Sequence, residues 1–233
     1  MKREPRQKRH TSHSLRLGAL LTLTGGFLDG FTYVGHGGVF ANAQSGNIVL
    51  LGVFGAERHW RAAIAHVPPL VAFVLGILVA ESLMHPRRGR AVRRPDRVAI
   101  IAEIAVLLVV GALPQATVSL VVVLLVAFAA AVQNSTFDTL RDWTFNSTMA
   151  TGNVRTATRA AYRSRILREH GAGRQARSFT TICLAFLCGA ASGGLVTSWW
   201  GNHAAWVAAG LLSLGLLLFV VDEAGERGTR HRP

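Results

Sequence analysis

The sequence predicts an all-α polytopic membrane protein with about six transmembrane helices, arranged as two inverted three-helix repeats. Half of the 233 residues are hydrophobic and only 16% are charged. The hydrophobic residues fall in blocks of membrane-spanning length, and the basic residues occupy the gaps between these blocks. Each half also contains a short polar interruption with a Gly-Asn pair, which predicts a broken or re-entrant segment.

Six apolar blocks are predicted to be the spanning helices: residues 15–33, 62–83, 98–113, 116–140, 179–199 and 204–221. The first block does not fit a cleaved signal peptide, because it contains Asp29, no small-x-small cleavage site closes it, and further blocks follow. The segments 42–55 and 148–162 have apolar runs that are too short to span a bilayer. We expect these two segments to be re-entrant or broken helices.

The distribution of arginine predicts which loops are cytoplasmic. If both termini are cytoplasmic and the chain crosses six times, only Arg58 and Arg61 of the 25 basic residues lie outside, in agreement with the positive-inside rule. The predicted organisation is a basic cytoplasmic tail (1–14), a first repeat (15–113) with a cytoplasmic arginine-rich loop (86–97), a second repeat (114–221) with a cytoplasmic loop (163–177), and a cytoplasmic tail (222–233).

Three matches between the two halves predict an internal duplication. The matched residues, in the same order in both halves, are Asp29 with Asp138, Gly46-Asn47 with Gly152-Asn153, and Gly76 with Gly189. Because each half holds an odd number of spans, the second half must enter the membrane from the opposite side. Many secondary transporters have inverted repeats of this kind and bind their solute at broken helices near the middle of the bilayer.

The polar runs also carry a resemblance to a known family. They are TGGFLDG at residues 24–30 and GGVFANAQSGN at 37–47, and in the second half QNST at 133–136 and ATGN at 150–153. In these runs, and over about residues 17–221, the chain resembles the YoaK family of small bacterial integral membrane proteins. The resemblance implies a protein of the bacterial cytoplasmic (inner) membrane with about six spans, and it implies no activity. Ser45 stands where the family usually has threonine, so the hydroxyl is retained.

The candidate binding residues are the polar and small residues of the interruptions together with the two aspartates. They are Asp29, Asn42, Gln44, Ser45, Gly46, Asn47, Gln133, Asn134, Asp138, Thr151, Gly152 and Asn153. A helix break leaves backbone groups that protein, water or a ligand must satisfy, and amide and hydroxyl side chains can both donate and accept hydrogen bonds. These residues could bind a small polar or anionic solute, or they could only satisfy the break and hold the halves together.

Asp29 is an acidic residue inside an apolar segment, where a charge is costly unless it is paired, hydrated or protonated. One interpretation is a proton or cation site with Asp138 as its counterpart, and the alternative is that Asp29 bonds nearby backbone. Asp138 has Arg141 three residues further on as a partner at helical spacing. Gln133 and Asn134 could equally form hydrogen bonds between helices.

The lipid bilayer is the predicted partner, and nucleic-acid binding is not predicted, because the arginines lie between spans without interleaved aromatic residues. Arg155, Arg159 and Arg163 form one helical stripe, which could face lipid headgroups or attract an anion into a cytoplasmic vestibule. Gly189 and Gly193 have the spacing of close helix packing, either within the bundle or between subunits of a homo-oligomer.

The sequence has no phosphate-binding glycine loop, no serine-histidine-aspartate arrangement with elbow glycines, and no metal-ligand spacing. We therefore predict no catalytic residue, no metal, no cofactor and no enzymatic activity. Two functions stay open. One is a small secondary transporter or permease, and the other is a non-transporting membrane scaffold or partner subunit in which the Gly-Asn breaks are structural.

Overall fold

The structure is a computed structural model that describes residues 15–84, 94–137, 139–140, 143–145, 147–148 and 150–230. The α-helices of this part of the chain are α1 (Leu15–Gly35), α2 (Gln44–Ala56), α3 (Trp60–Ala65), α4 (Val67–Met84), α5 (Pro95–Ala112), α6 (Ser119–Thr136), α7 (Ala150–Arg165), α8 (Ala172–Trp200) and α9 (Ala204–Arg230). Two short antiparallel strands, β1 (Thr139–Leu140) and β2 (Trp143–Thr144), follow α6. The helical fold is confirmed, and this small strand pair was not predicted.

Among the described residues, four helical stretches are long and apolar enough to cross a membrane: Leu15–Gly35, Trp60–Met84, Ser119–Thr136 and Ala172–Val221. The fourth stretch has 50 residues and contains two helices, α8 and most of α9, joined by a 3₁₀ turn at Gly201–His203. Five of the six predicted spans each overlap one helix, and the span 62–83 overlaps α3 and α4, whereas length and apolarity alone identify four spanning stretches among the described residues. The length and apolar composition of these stretches are typical of a membrane protein.

The helix ends differ from the predicted ends of the apolar blocks. α6 ends at Thr136 rather than at residue 140. In its last turn, the hydroxyls of Ser135 and Thr136 donate to carbonyls of the preceding turn. α8 begins at Ala172, seven residues before the predicted start, because its first two turns are polar. An apolar block marks the part of a helix that is suited to lipid. The backbone hydrogen bonds of the helix can end before the block does, as in α6, or begin before it, as in α8.

α1 and α8 pack in parallel at very close range. The contact moves from Leu23 to Phe27 along α1 as it moves from Gly189 to Gly193 along α8. A Cβ on either of these glycines, or on Gly26 of α1, would overlap the backbone of the facing helix. Of the two alternatives for Gly189 and Gly193, the structure thus supports packing within the bundle, and a homo-oligomer would need another surface.

α9 packs on α1 in the opposite direction. Leu17 and Leu20, near the start of α1, contact Gly215, which lies well along α9. α5 is in turn antiparallel to α9, because Trp206 at the start of α9 donates from Nε1 to the carbonyl of Leu108 near the end of α5, at 3.1 Å. The large buried side chains of the main core come mostly from these helices and from α6.

α4 and α6 form a second closely packed parallel pair. A Cβ on Gly76 would lie 2.6 Å from the carbonyl oxygen of Phe128, and further along the pair Ala80 clusters with Val132. Ala99 at the start of α5 joins the same cluster, so α5 and α6 are antiparallel. Helices α1, α5 and α8 therefore run one way and α4, α6 and α9 the other. The segment between α1 and α4 and the segment between α6 and α8 lie at opposite ends of the bundle.

Candidate functional site

The first interruption begins with a sharp turn at the end of α1. Gly37 and Gly38 have φ values of 85° and 75°, which glycine adopts without strain. The chain then returns beside α1 before α2 begins at Gln44. This return brings Asn42 back to the interior of the bundle.

Hydrogen bonds hold the returning chain along α1. The amide of Ala41 donates to Oγ1 of Thr32 at 3.1 Å, and the amide of Asn42 donates to Oδ1 of Asp29 at 2.7 Å. The side chain of Asn42 reaches further, and its Nδ2 donates to the carbonyl of Gly25 at 3.1 Å. Because α1 spans Leu15–Gly35, Gly25 lies at its midpoint. The first interruption thus reaches halfway along α1.

Asp29 is buried, with 3% of its surface exposed, and its two oxygens have different surroundings. Oδ1 accepts from the backbone amides of Asn42 and Ala43, at 2.7 and 3.3 Å. Oδ2 is buried without a hydrogen-bond partner among the described residues, and so is Oδ1 of Asn42. Both unpartnered atoms can accept hydrogen bonds, so this region presents acceptors to a proton, a cation or a donor group.

Asn47, by contrast, has a partner for each of its side-chain polar atoms. Its Nδ2 donates to the carbonyl of Phe40 at 2.7 Å and to Oε1 of Gln44 at 2.9 Å, and its Oδ1 accepts from the amide of Phe40 at 3.0 Å. Nδ1 of the buried His66 lies 3.3 Å from the same oxygen. Gly46 leaves room for Phe40, because a Cβ there would be 2.9 Å from two atoms of the ring. This Gly-Asn pair therefore fastens α2 to the returning chain.

The second interruption reaches the same point of α1. A Cβ on Gly25 would lie 3.0 Å from the carbonyl oxygen of Ser147 and 3.3 Å from the methyl group of Thr148. Ser147 is fully buried, and its Oγ donates to Oδ1 of Asn134 at 3.1 Å. Asn42 and Ser147, which come from opposite ends of the bundle, thus meet at the middle of α1. We call this place the meeting point.

The remaining predicted residues are placed in several ways. Gln133 and Asn153 are buried, Gln44 and Gly46 are half-buried, Ser45, Thr151 and Gly152 are exposed, and Asp138 lies outside the described residues. Ser45 and Gly46 border an open groove of about 400 Å³ whose other lining residues are Tyr33, Phe40, Val49 and Leu50. This groove is mostly apolar and open to the outside. The unpartnered oxygens of Asp29 and Asn42 do not line it.

The arginine stripe lies on the exposed face of α7. Arg155, Arg159 and Arg163 are all exposed, while Ala160 on the other face is buried where α7 packs on α8. Nε of Arg163 lies 2.7 Å from Oε2 of Glu169. A basic face of this kind suits water or lipid headgroups.

Several buried polar residues were not predicted as site residues, among them Ser147, Glu103 and His36. Ser147 stands beside the second interruption, and Glu103 lies in the middle of the third predicted span, so the reasoning that selected Asp29 would have selected it too. His36 follows α1 and packs edge-on against Phe31, with 4.8 Å between ring centroids. Burial lowers the pKa of His36 to about 4, so its ring is neutral at pH 7. The described residues contain no cluster of three or more His, Cys, Asp or Glu that could hold a metal ion.

Comparison with known proteins identifies the family. The sequence model of DUF1275, described as a protein of unknown function, matches residues 17–218. The YoaK family is a DUF1275 family of membrane proteins, so the resemblance carried by the polar runs is confirmed. No curated protein and no solved structure matches the chain.

Proposed function

We propose, from the premise that the chain belongs to the DUF1275 family, that it is a small secondary transporter of the bacterial cytoplasmic (inner) membrane. In this proposal six helices cross the membrane as two inverted repeats, with both termini in the cytoplasm. A polar solute binds at the meeting point. The observation that carries the proposal is that both interruptions reach Gly25, beside unpartnered oxygens of Asp29 and Asn42. Polar, irregular backbone at membrane depth generally lines a cavity or is buried in protein.

The pairing of the helices supports two related halves. α1 packs on α8 and α9, and α6 packs on α4 and α5. If α1 corresponds to α6, α4 to α8 and α5 to α9, exchanging the halves converts the first set of contacts into the second. The segments that hold the two interruptions also lie at opposite ends of the bundle, as inverted repeats require.

The contacts of two glycines support a register between the halves. Gly189 lies between the carbonyl oxygen of Leu23 and the amide nitrogen one turn further along α1. Gly76 lies in the same way between the carbonyl oxygen of Phe128 and the amide nitrogen one turn further along α6. Leu23 then corresponds to Phe128, and this match sets the alignment of the rest of α1 with α6.

In this register Asp29 corresponds to Asn134. This match replaces the one with Asp138 that was made from the sequence. Each side chain accepts a hydrogen bond from the residue 13 positions further on, Asp29 from the amide of Asn42 and Asn134 from the hydroxyl of Ser147. The two halves then differ in charge at the equivalent position. A carboxylate stands in the first half and a neutral amide in the second.

The same contacts narrow the class of solute. The backbone amides of Asn42 and Ala43, which could have held an anion, already donate to Asp29. The atoms that lack partners are acceptors. We therefore propose a solute that carries hydrogen-bond donors or a positive charge, rather than an anion.

Asp29→Asn is the sharpest test of this site. The new side chain keeps an oxygen for the amides of Asn42 and Ala43, but it replaces the unpartnered Oδ2 by an NH₂ group. In a thermal-shift screen of cationic, neutral and anionic solutes on purified protein, we expect a donor-bearing solute to stabilise the wild type. Asp29→Asn should lose at least tenfold in affinity for that solute and lose its flux in proteoliposomes.

Ser45→Ala is the matched control, because Ser45 belongs to the same interruption but is exposed. It should keep both affinity and flux. Solute binding that is unchanged in Asp29→Asn, or a screen in which only anions bind, would contradict the proposed site.

The satisfied bonds of Asn47 favour a second function, a membrane scaffold or partner subunit that transports nothing. There the interruptions serve to hold the helices together, and the same thermal-shift screen finds no stabilising solute. Neither proposal assigns a catalytic residue, a cofactor or a nucleic-acid partner.

A further inference from the structure

Glu103 is a second buried acidic residue, and it is remote in sequence from both interruptions. It lies in the middle of α5 (Pro95–Ala112), with only 2% of its surface exposed. Ile100 and Leu107, one turn before and one turn after it, are completely buried in the main hydrophobic core. Oε2 of Glu103 is buried and has no hydrogen-bond partner within the described ranges.

The described side chains of the helices that pack on α5 offer no opposite charge. These helices are α6 and α9, and residues 119–136 and 204–221 contain no Asp, Glu, Lys, Arg or His. On α5 itself, the guanidinium of Arg97 lies over the ring of Phe219, 5.5 Å from its centroid. In the 3₁₀ turn beside α5, His203 packs against Trp206, with 4.9 Å between ring centroids. Among the described residues, Glu103 thus lies between residues of the main hydrophobic core, and no side chain of opposite charge is shown beside it.

An ionised carboxylate in such a place would lose its hydration and gain neither a partner nor a hydrogen bond, so the neutral acid is strongly favoured. We propose that Glu103 is a proton-binding site of the helix bundle. It holds a proton while α5, α6 and α9 are packed as in this structure, and it releases the proton when these helices separate and admit water. The ligand of this site is the proton itself.

Glu103 differs in this respect from Asp29, whose Oδ1 accepts from two backbone amides. Those amides stabilise a charge on Asp29, whereas the described surroundings of Glu103 provide no such donors. In a transporter this site makes the proton the coupling ion. That role rests on the proposed function, but proton binding does not, and it is tested without any solute.

Proton binding at Glu103 predicts how stability depends on pH. The folded bundle binds this proton more tightly than the unfolded chain, where the carboxyl is in water. The contribution of Glu103 to stability is therefore largest at acidic pH and falls as pH rises. Over the range where the unfolded chain has lost the proton and the folded bundle keeps it, the folding equilibrium constant falls about tenfold per pH unit.

The first experiment compares thermal unfolding of wild type and Glu103→Gln in detergent between pH 5 and pH 9. Glutamine imitates the neutral acid, so the stability of Glu103→Gln relative to the wild type should be lowest at pH 5 and should increase as pH rises. The matched control is Glu81→Gln on the exposed surface of α4, whose curve should stay parallel to that of the wild type. Parallel curves for wild type and Glu103→Gln would overturn the proposal.

The second experiment uses the wild type alone, so it tests proton binding at Glu103 even if Glu103→Gln does not fold. Dicyclohexylcarbodiimide is a hydrophobic reagent that adds a protonated carboxyl across its C=N bond and rearranges to an N-acylurea, with no atom lost. We expect mass spectrometry to find this adduct on Glu103 at pH 6, with less of it as pH rises. A water-soluble carbodiimide should instead label Glu57, which is exposed, and spare Glu103. Absence of the hydrophobic adduct from Glu103 would overturn the proposal.

Discussion

The two Gly-Asn pairs have the same sequence but different surroundings. Gly46 packs against the ring of Phe40, and Asn47 is bonded on every side. Gly152 is exposed and a Cβ there would meet nothing within 4 Å, although Asn153 is buried. A shared dipeptide therefore does not mean a shared role, and the glycine is sterically required in the first copy only.

What the two interruptions share lies a few residues before the Gly-Asn pair. Asn42 in the first and Ser147 in the second contact α1 at Gly25. The helices that follow then differ in polarity, since α2 exposes Ile48, Val49 and Val53, whereas α7 exposes a stripe of arginines. The meeting point, rather than the Gly-Asn pair, is therefore where the two interruptions present polar groups together.

Asn47→Ala should have the largest effect of the changes that test this comparison. The substitution leaves the half-buried amide and carbonyl of Phe40 without their partner, and the loss of a partner by a buried group typically costs about 1–3 kcal/mol. We expect the free energy of unfolding in detergent to fall by about 2–4 kcal/mol, measured by thermal or chemical unfolding. A loss below about 1 kcal/mol would mean that Asn47 is not the fastening between α2 and the returning chain.

Gly46→Ala and Gly152→Ala form a matched pair that should move stability in opposite directions. At Gly46 the new methyl group would lie 2.9 Å from the ring of Phe40, so we expect a loss of about 1–3 kcal/mol from overpacking. At Gly152 the methyl group meets open space in a helix, so we expect a gain of about 0.5–1 kcal/mol. The midpoints of unfolding measure both effects. Equal effects at the two positions would contradict the proposed steric difference between the two Gly-Asn pairs.

Arg159→Gln should have the smallest effect on stability, within about 0.5 kcal/mol, because the side chain is exposed on α7. If the stripe faces anionic headgroups, the variant should co-purify with less anionic lipid, which native mass spectrometry measures. Arg58→Gln, on the turn after α2 and also exposed, is the control for the removal of one charge. Equal lipid retention in the two variants would show that the stripe has no special relation to lipid.

The sequence predicted the helices well and the contacts between them poorly. Apolar blocks located each long helix, but block ends missed the polar turns with which α8 begins and the hydroxyl groups with which α6 ends. Polarity placed Asn42 and Asp29 in the same set of candidate binding residues. That Asn42 bonds Gly25, and that Ser147 arrives at the same place, depends on how helices distant in sequence pack.

The register between the halves shows the same limit. The sequence match of Asp29 with Asp138 used residue identity, while the proposed match with Asn134 uses the backbone contacts of Gly76 and Gly189. Glu103 is a different kind of omission. Its position in the middle of an apolar block was visible from the start, and its lack of partners became visible only when the surrounding helices were in place.

The close contact between α1 and α8 has a consequence for how the chain is made. Of the described helices α1 leaves the ribosome first, while α8 and α9, which cover it, leave last. The glycine-lined face of α1 therefore lacks these partners while α4, α5 and α6 are being made. α4 and α6 can pair before α8 is made, but α1 meets α8 and α9 only after these later helices have been synthesised.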